Sequence, residues 1–276
     1  MRDLLAPYEA DQDVAVVMSG ELADCFSSKS EGISFIVSQV KDVFPKAHFY
    51  GTDSRFHTRA TPELAAANWL AMADLLREKY PNSLLVDMGS TTTDIIPLNR
   101  FDLMRGQTDL TRLQQGYLVY CGFLRTHVAT LIPSAVVNGC DTPVSTEYFA
   151  STGDAYVALG RIPESLFTAD TADRKGTDRI SCLRRLSRVV CADLEEIGEE
   201  GACDIARTVV QVQEKLITTA IRKVAGQNST ENTIVAGIGS GIVSRWIGGV
   251  SLTESLGEYA DALPAYAVRK IFGRIR

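Results

Sequence analysis

Apolar positions along the chain come in short runs separated by polar punctuation. Val14 to Met18 is a β-branched run ended by Ser19-Gly20 and predicts a buried strand; His48 to Tyr50, before Gly51, predicts a second. Between them the pattern predicts helices over Glu21 to Phe26 and Gly32 to Phe44, the latter closed by Pro45. Thr61 followed by Pro62 makes a helix start, and Leu64, Trp69, Leu70, Met72, Leu75 and Leu76 continue it to Lys79. Those residues cover much of the circumference, which predicts a helix buried between layers.

Ser83 to Asp87 and Asp94 to Leu98 predict two strands joined by the polar turn 88–93. Residues 101–160 give mixed short strands and turns, broken at Pro133, Gly139 and Pro143. A polar loop, Asp170 to Asp178, leads to a helix capped by Thr177, running to Glu196 and stopped by Gly198. A long helix over Ile205 to Ala225, a strand over Thr233 to Ala236, a short helix through Trp246 and a closing helix over Pro264 to Phe272 complete the pattern. Strands alternating with helices predict an α/β fold.

Composition narrows the function classes. With 276 residues, 45% hydrophobic and 22% charged, the chain can bury a sizeable core. Its apolar runs are too short for a membrane span, and Met1 to Pro7 lacks a signal-peptide core, so a cytoplasmic protein is expected. A net charge of −6 excludes a general nucleic-acid surface but leaves room for small phosphorylated ligands. The six cysteines form no C-x-x-C pair and are expected to be reduced and mostly buried. His48, His57 and His127 lack zinc-ligand spacing; His127, in a polar turn, is read as structural before catalytic.

The chemistry concentrates in Asp87-Met88-Gly89-Ser90-Thr91-Thr92-Thr93-Asp94. A Walker-type loop runs from strand into helix and ends in Gly-Lys-Ser/Thr; here strand passes into strand, without lysine. Four hydroxyl residues after a glycine supply donors, and a tight turn aims backbone N–H groups at one point, a concavity suited to an anion. Asp87, at a buried strand end, is read as a water-mediated Mg²⁺ ligand. The bland alternative is a Ser/Thr-rich hairpin whose Asp87 and Asp94 bond local N–H groups.

Gly237-x-Gly239-Ser240-Gly241 lies between a strand and a helix without dinucleotide spacing. It reads either as close packing or as ligand approach. In the third segment, Asp170 to Gly176 and the helix after it, Arg184 and Arg188 share a face. Asp193, Glu195 and Glu196 would crowd that helix's last turn, where the dipole disfavours carboxylates, so either a metal or amine needs them or they form a solvated, salt-bridged face.

Ser19 to Asp24, Ala67-Asn68-Trp69, Asp87 to Pro97, Tyr120 to Thr126 and Arg184 to Glu196 (RRLSRVVCADLEE) together resemble the methanofuran-biosynthesis synthase family. That family is a hydantoinase/oxoprolinase-like group linked to tetrahydromethanopterin one-carbon metabolism. The resemblance implies an actin-like fold of two ribonuclease-H-like halves with the site between them. Residues 1–60 would be a remnant of the first half, and 61–276 the second, with an inserted segment over 101–175. It implies a transferase in which the phenol of γ-glutamyltyramine, or a tyrosine analogue, displaces diphosphate from a furanmethyl diphosphate to form an aryl ether.

By the match, Asp87 would organise Mg²⁺, Gly89, Ser90, Thr91, Thr92 and Thr93 would cradle phosphate, and Lys175 and Arg188 would neutralise remaining charge. Asp94 joins the catalytic set, with Glu21, Asp94 and His127 as bases for the phenol proton, and Gly237, Gly239, Ser240 and Gly241 form a second glycine loop. The expected partners are the diphosphate and phenolic amine substrates, with a homodimer left open. In this family a first phosphate loop, D-x-G-G-x-x-x-K, opens the fold. Nothing like it precedes Val14, so the first half is expected to lack its initial strands. An ATP-using kinase or hydantoinase-like hydrolase, and a non-catalytic binding module, stand as alternatives.

Overall fold

The computed structural model describes residues 1–8 and 13–275; residues 9–12 and Arg276, parts of the two expected segments, lie outside the described residues. Strand β1 (Ala15–Val16) leads through turns to helix α1 (Lys29–Val43) and on to β2 (His48–Tyr50) and β3 (Phe56–His57). β1 and β2 pair in parallel and β3 pairs antiparallel to β2. Met18, Ile33, Ile36, Val37, Val40, Phe44, Phe49 and Leu64 close one core between α1 and this small sheet.

Next come α2 (Asn68–Leu76), β4 (Ser83–Met88), β5 (Thr93–Pro97), α3 (Asp109–Gln115) and β6 (Leu118–Val119). The hairpin β7 (Ser134–Val137) and β8 (Cys140–Pro143) precedes α4 (Thr152–Ala158), α5 (Arg179–Arg188) and α6 (Leu194–Asn228). The described chain finishes with β9 (Asn232–Ala236), α7 (Ser240–Ile247), β10 (Val250–Ser251) and α8 (Leu263–Ile275). The second sheet has the order β10-β9-β4-β5-β6, with β9 parallel to β4 and to β10, and β5 antiparallel to β4 and β6.

β4 sits at the centre of that sheet and is buried on both faces, which is why it reads as a continuous apolar run. Leu84, Val86 and Met88 point into a core shared with α4, α5 and α6, whereas Leu85 points into a second core with α2 and α8. The result is three layers, helix–sheet–helix. No helix among the described residues is long and apolar enough to cross a membrane.

Several local expectations are corrected. Residues 21–26 form turns rather than a helix. The segment expected to be one helix over 61–79 is a 3₁₀ turn at Pro62–Leu64 followed by α2, and the Thr61 side chain makes no capping bond. The helix expected from Thr177 to Glu196 is two: α5 is capped by Asp178, whose side chain accepts from Ser181 N, and ends at Arg188. α6 is then capped by Asp193, accepting from Glu196 N, and Gly198, at φ +70°, interrupts its first turns rather than ending the preceding helix. The acidic residues therefore stand at a helix N-terminus, where the dipole stabilises them, so their presence needs no metal or amine. Cysteines are split rather than mostly buried: Cys121, Cys182 and Cys203 are buried, Cys25, Cys140 and Cys191 exposed, and all six are free thiols.

Candidate functional site

The turn between β4 and β5 is closed by Gly89 N donating to Thr92 O at 2.9 Å. Two more of its carbonyls are engaged: Phe123 N donates to Gly89 O, and Leu124 N and Arg125 N both donate to Ser90 O, at 2.9–3.1 Å. The N–H groups of Ser90, Thr91 and Thr92 donate to no protein acceptor among the described residues. A turn with most of its acceptors covered and successive donors uncommitted presents positive potential outward, a condition that favours anion binding.

The segment beneath the turn is held tightly. Gly122 lies against the Ser90–Thr91 backbone so closely that any Cβ there would collide with Thr91 N and C. Gly122 O accepts from Gln213 Nε2 at 2.7 Å and from Thr152 Oγ1 at 3.3 Å, Gly122 N donates to Thr126 Oγ1 at 2.9 Å, and Thr93 Oγ1 donates to Cys121 O at 2.7 Å. Gln213, fully buried on α6, accepts from Tyr156 OH at 2.6 Å. Gln213 was not singled out from the sequence, because its role depends on a contact 91 residues away.

Asp87 and Asp94 are direct partners in the β4–β5 ladder and share a face of the sheet. Asp94 is buried and ion-paired with Arg112 on α3, which also reaches Asp109 Oδ1 at 3.1 Å and lies over the Trp69 ring at 4.1 Å. Burial pulls the Arg112 guanidinium down to about 9, leaving it cationic at neutral pH. Asp87 has no hydrogen bond or ion pair among the described residues, and burial pushes its carboxyl up to about 6.

The second glycine loop abuts the hairpin. Gly239 N donates to Met88 O at 2.9 Å; a Cβ at Gly237 (φ +79°) would collide with Asp87 Oδ1, and one at Gly239 would fall 2.6 Å from Met88 Sδ. Only residues without a side chain let β9 and α7 approach β4 this closely. Ser240 opens α7 and is buried, while Gly241 has open space around its Cα.

Lys175 and Arg188 lie elsewhere in the network. Arg188 Nη1 reaches Asp173 Oδ2 at 3.2 Å. Asp173 also takes Arg185 Nη1 at 3.0 Å, and its carboxyl is held below the usual range by hydrogen bonds and by these guanidinia. Arg185, wholly buried, joins Asp154 Oδ1 at 2.7 Å and Gly176 O at 3.0 Å, pinning the 171–176 loop to α4. Lys175 is exposed, and no contact among the described residues ties its ammonium to the hairpin.

The cation beside the hairpin is Arg125, which the sequence reading did not single out. A cavity of about 210 Å³ is lined by Ser90, Arg125, Thr168, Ala169 and Asp170. His127, two residues on, stacks on Tyr148 with centroids 3.8 Å apart and planes 14° apart. Glu21 is buried, with Oε2 lacking any partner.

A central sheet carrying a hairpin with uncommitted backbone donors and an apposed glycine loop defines an α/β protein. A family model described as hydantoinase/oxoprolinase matches residues 12–261, and the chain belongs to that family. Among curated proteins, the (4-{4-[2-(gamma-L-glutamylamino)ethyl]phenoxymethyl}furan-2-yl)methanamine synthase of Methanocaldococcus jannaschii is 36% identical, covering 98% of this chain and 86% of its own. The synthase of the same name from Methanococcus vannielii is 38% identical over 59% of this chain and 73% of its own. Among solved structures, nucleotide-free acetone carboxylase, from work on ATP-dependent acetone carboxylation, matches with a TM-score of 0.53 at 14% identity over 87% of this chain. The chain spans 38% of that larger chain, and the likeness bears on the fold alone.

Proposed function

We propose that this chain makes the aryl ether named by its relatives, joining a furanmethyl diphosphate to the phenol of γ-glutamyltyramine with release of diphosphate. The observation that carries the reading is the β4–β5 turn, most of its acceptors covered and three successive donors uncommitted, in a chain matching the synthase of M. jannaschii over 98% of its length. The sheet order supports a ribonuclease-H-like unit: antiparallel β6-β5-β4 followed by parallel β9 and β10. β1–β3 would then belong to the other half of an actin-like fold.

In the reaction the phenol oxygen forms a bond to the furan-bound methylene carbon, the bond from that carbon to the diphosphate oxygen breaks, and the phenol proton passes to a base. Charge develops on the leaving oxygens, where preorganised donors matter most. The Ser90, Thr91 and Thr92 N–H groups and hydroxyls face that charge, with Arg125 beside them. Since the Gly122 packing and the Gln213 bond hold the turn from below, it need not reorganise as charge builds. Asp94, paired with Arg112, would position β5 and the hairpin rather than accept the proton; Glu21, with a free buried oxygen, and His127 are left for that role.

The donor set fits a magnesium ion held largely by water and phosphate. Asp87 offers a carboxylate with no protein partner, and no group of three or more His, Cys, Asp or Glu among the described residues forms a protein cage. Bound there, Mg²⁺ would neutralise leaving-group charge. Asp87→Ala is expected to abolish turnover in a diphosphate-release assay; unchanged turnover removes Asp87 from the site.

A further inference from the structure

The hairpin cavity carries charges of both signs. Arg125 and Asp170 both line it, both are exposed, and neither side chain has a hydrogen bond or ion pair among the described residues. They enter from different segments. Arg125 is fixed by its own N–H on Ser90 O, whereas Asp170 follows Phe167, whose ring packs on Gly153, and precedes the loop pinned by Arg185. Two opposite charges beside one cavity that do not pair with each other suit a ligand with an anionic end and a cationic end.

We propose that this cavity is the donor subsite and that Asp170 is its specificity-determining residue, receiving the primary ammonium on the furan while Arg125 and the Ser90 hydroxyl take the diphosphate arm. This rests on the proposed synthase activity, whose product name ends in a furan-bound methanamine. A 2,4-disubstituted five-membered ring puts its two one-carbon arms on well-separated ring atoms, so the groups that read them must also stand apart. Ser90 and Arg125 mark the hairpin side of the cavity, and Asp170 the loop side. The His127–Tyr148 stack is near enough for Tyr148 to lie in the field of both Arg125 and Asp170. A lysine or arginine at position 170 would repel the amine, so the same carboxylate would reject a furan lacking it only through the lost attraction.

Calorimetry with two probes tests this on the whole chain: inorganic pyrophosphate for the anionic end and 5-(aminomethyl)furan-3-methanol for the cationic end. Asp170→Asn is expected to weaken the amine about tenfold and leave pyrophosphate unchanged, a loss typical of one charge-assisted hydrogen bond. Arg125→Ala should do the reverse. Deleting the amine from the furan alcohol should cost wild type the same factor and cost Asp170→Asn nothing. Equal amine binding by wild type and Asp170→Asn, with pyrophosphate bound normally, overturns the assignment of Asp170 while the hairpin reading stands. If pyrophosphate fails to bind wild type with Mg²⁺ present, the hairpin reading falls and the subsite with it. Both variants change exposed side chains with no protein partner, so loss of fold does not confuse the result.

Discussion

Asp87 and Asp94 face each other across one rung of the β4–β5 ladder, yet only Asp94 has a cation. Arg112 neutralises Asp94 and is itself held over Trp69. Asp87 is walled by Gly237 and Met88, with its carboxyl raised to about 6 by burial. Two carboxylates that flank the same turn in sequence thus have different electrostatic duties: one is spent on holding the strand, the other is kept available.

The raised carboxyl has a pH consequence. Asp87 has a folded pKa above its unfolded value, so below about pH 3 it is protonated in both states and costs nothing. From about pH 4 to 6 the folded state holds the proton better, and as pH rises the cost of ionising in place grows, levelling off above 6. Asp87→Asn should therefore stabilise the resting protein by roughly 3 kcal/mol at pH 7.5 and by only about 0.5 kcal/mol at pH 4. Denaturant titrations of both proteins across that range check it; a difference independent of pH contradicts the burial assigned here. On the proposed role of Asp87 as a Mg²⁺ ligand, wild-type turnover at limiting Mg²⁺ should decline as pH falls through about 6, because protons then compete with the cation for the carboxylate.

Gly122 has no room for a methyl group. Gly122→Ala must push the Ser90–Thr91 backbone outward, and a shift of this kind in a preorganised donor set costs about tenfold to a hundredfold in turnover. Diphosphate release under saturating substrate measures it. Gly241→Ala, with open space at its Cα, should leave stability within about 1 kcal/mol of wild type by thermal unfolding.

The Tyr156–Gln213–Gly122 chain supports the hairpin from the core. Gln213→Leu strands the buried Tyr156 hydroxyl and leaves Gly122 O with only the longer bonds from the Thr126 and Thr152 hydroxyls, and thermal unfolding should show a loss of about 1–3 kcal/mol. Tyr156→Phe with Gln213→Leu removes the hydroxyl as well, and the pair should lose less than the sum of the single changes.

Asp154 and Arg185 form a buried pair that fixes the loop following Asp170. Asp154→Ala leaves Arg185 with Asp173 but no partner on α4, and the expected loss is about 3 kcal/mol in unfolding titrations. Arg188→Ala, which removes only the half-exposed contact to Asp173, should cost less than about 1 kcal/mol.

How far these features were legible follows from what each depends on. The hairpin was readable because its cues are local: a continuous apolar run in β4, a glycine, a run of hydroxyls and a strand beyond. The break between α5 and α6 was misread because Val189, Val190 and Cys191 continue an apolar pattern past Arg188. The turn relies on Cys191 at φ +59°, which no residue type announces. One signal was available: Asp193 followed three residues later by Glu196 is a capping pattern and marks a helix start. The packing of Gly237 on Asp87 could only be suspected from two glycine turns, since strand order was needed to set β9 beside β4. Arg125 and Asp170 carry no local pattern at all; their shared cavity exists only after residues 121–126 and 168–170 have folded against the hairpin.

The central claim is tested most directly by mixing the purified chain with Mg²⁺, the aminomethyl-furanmethyl diphosphate and γ-glutamyltyramine, without ATP, and following product by mass spectrometry beside diphosphate release. The account predicts the aryl ether and one diphosphate per ether, with both lost in Asp87→Ala. Ether or other turnover that appears only when ATP is added, or no ether from any mixture in which the M. jannaschii synthase makes it, contradicts the account.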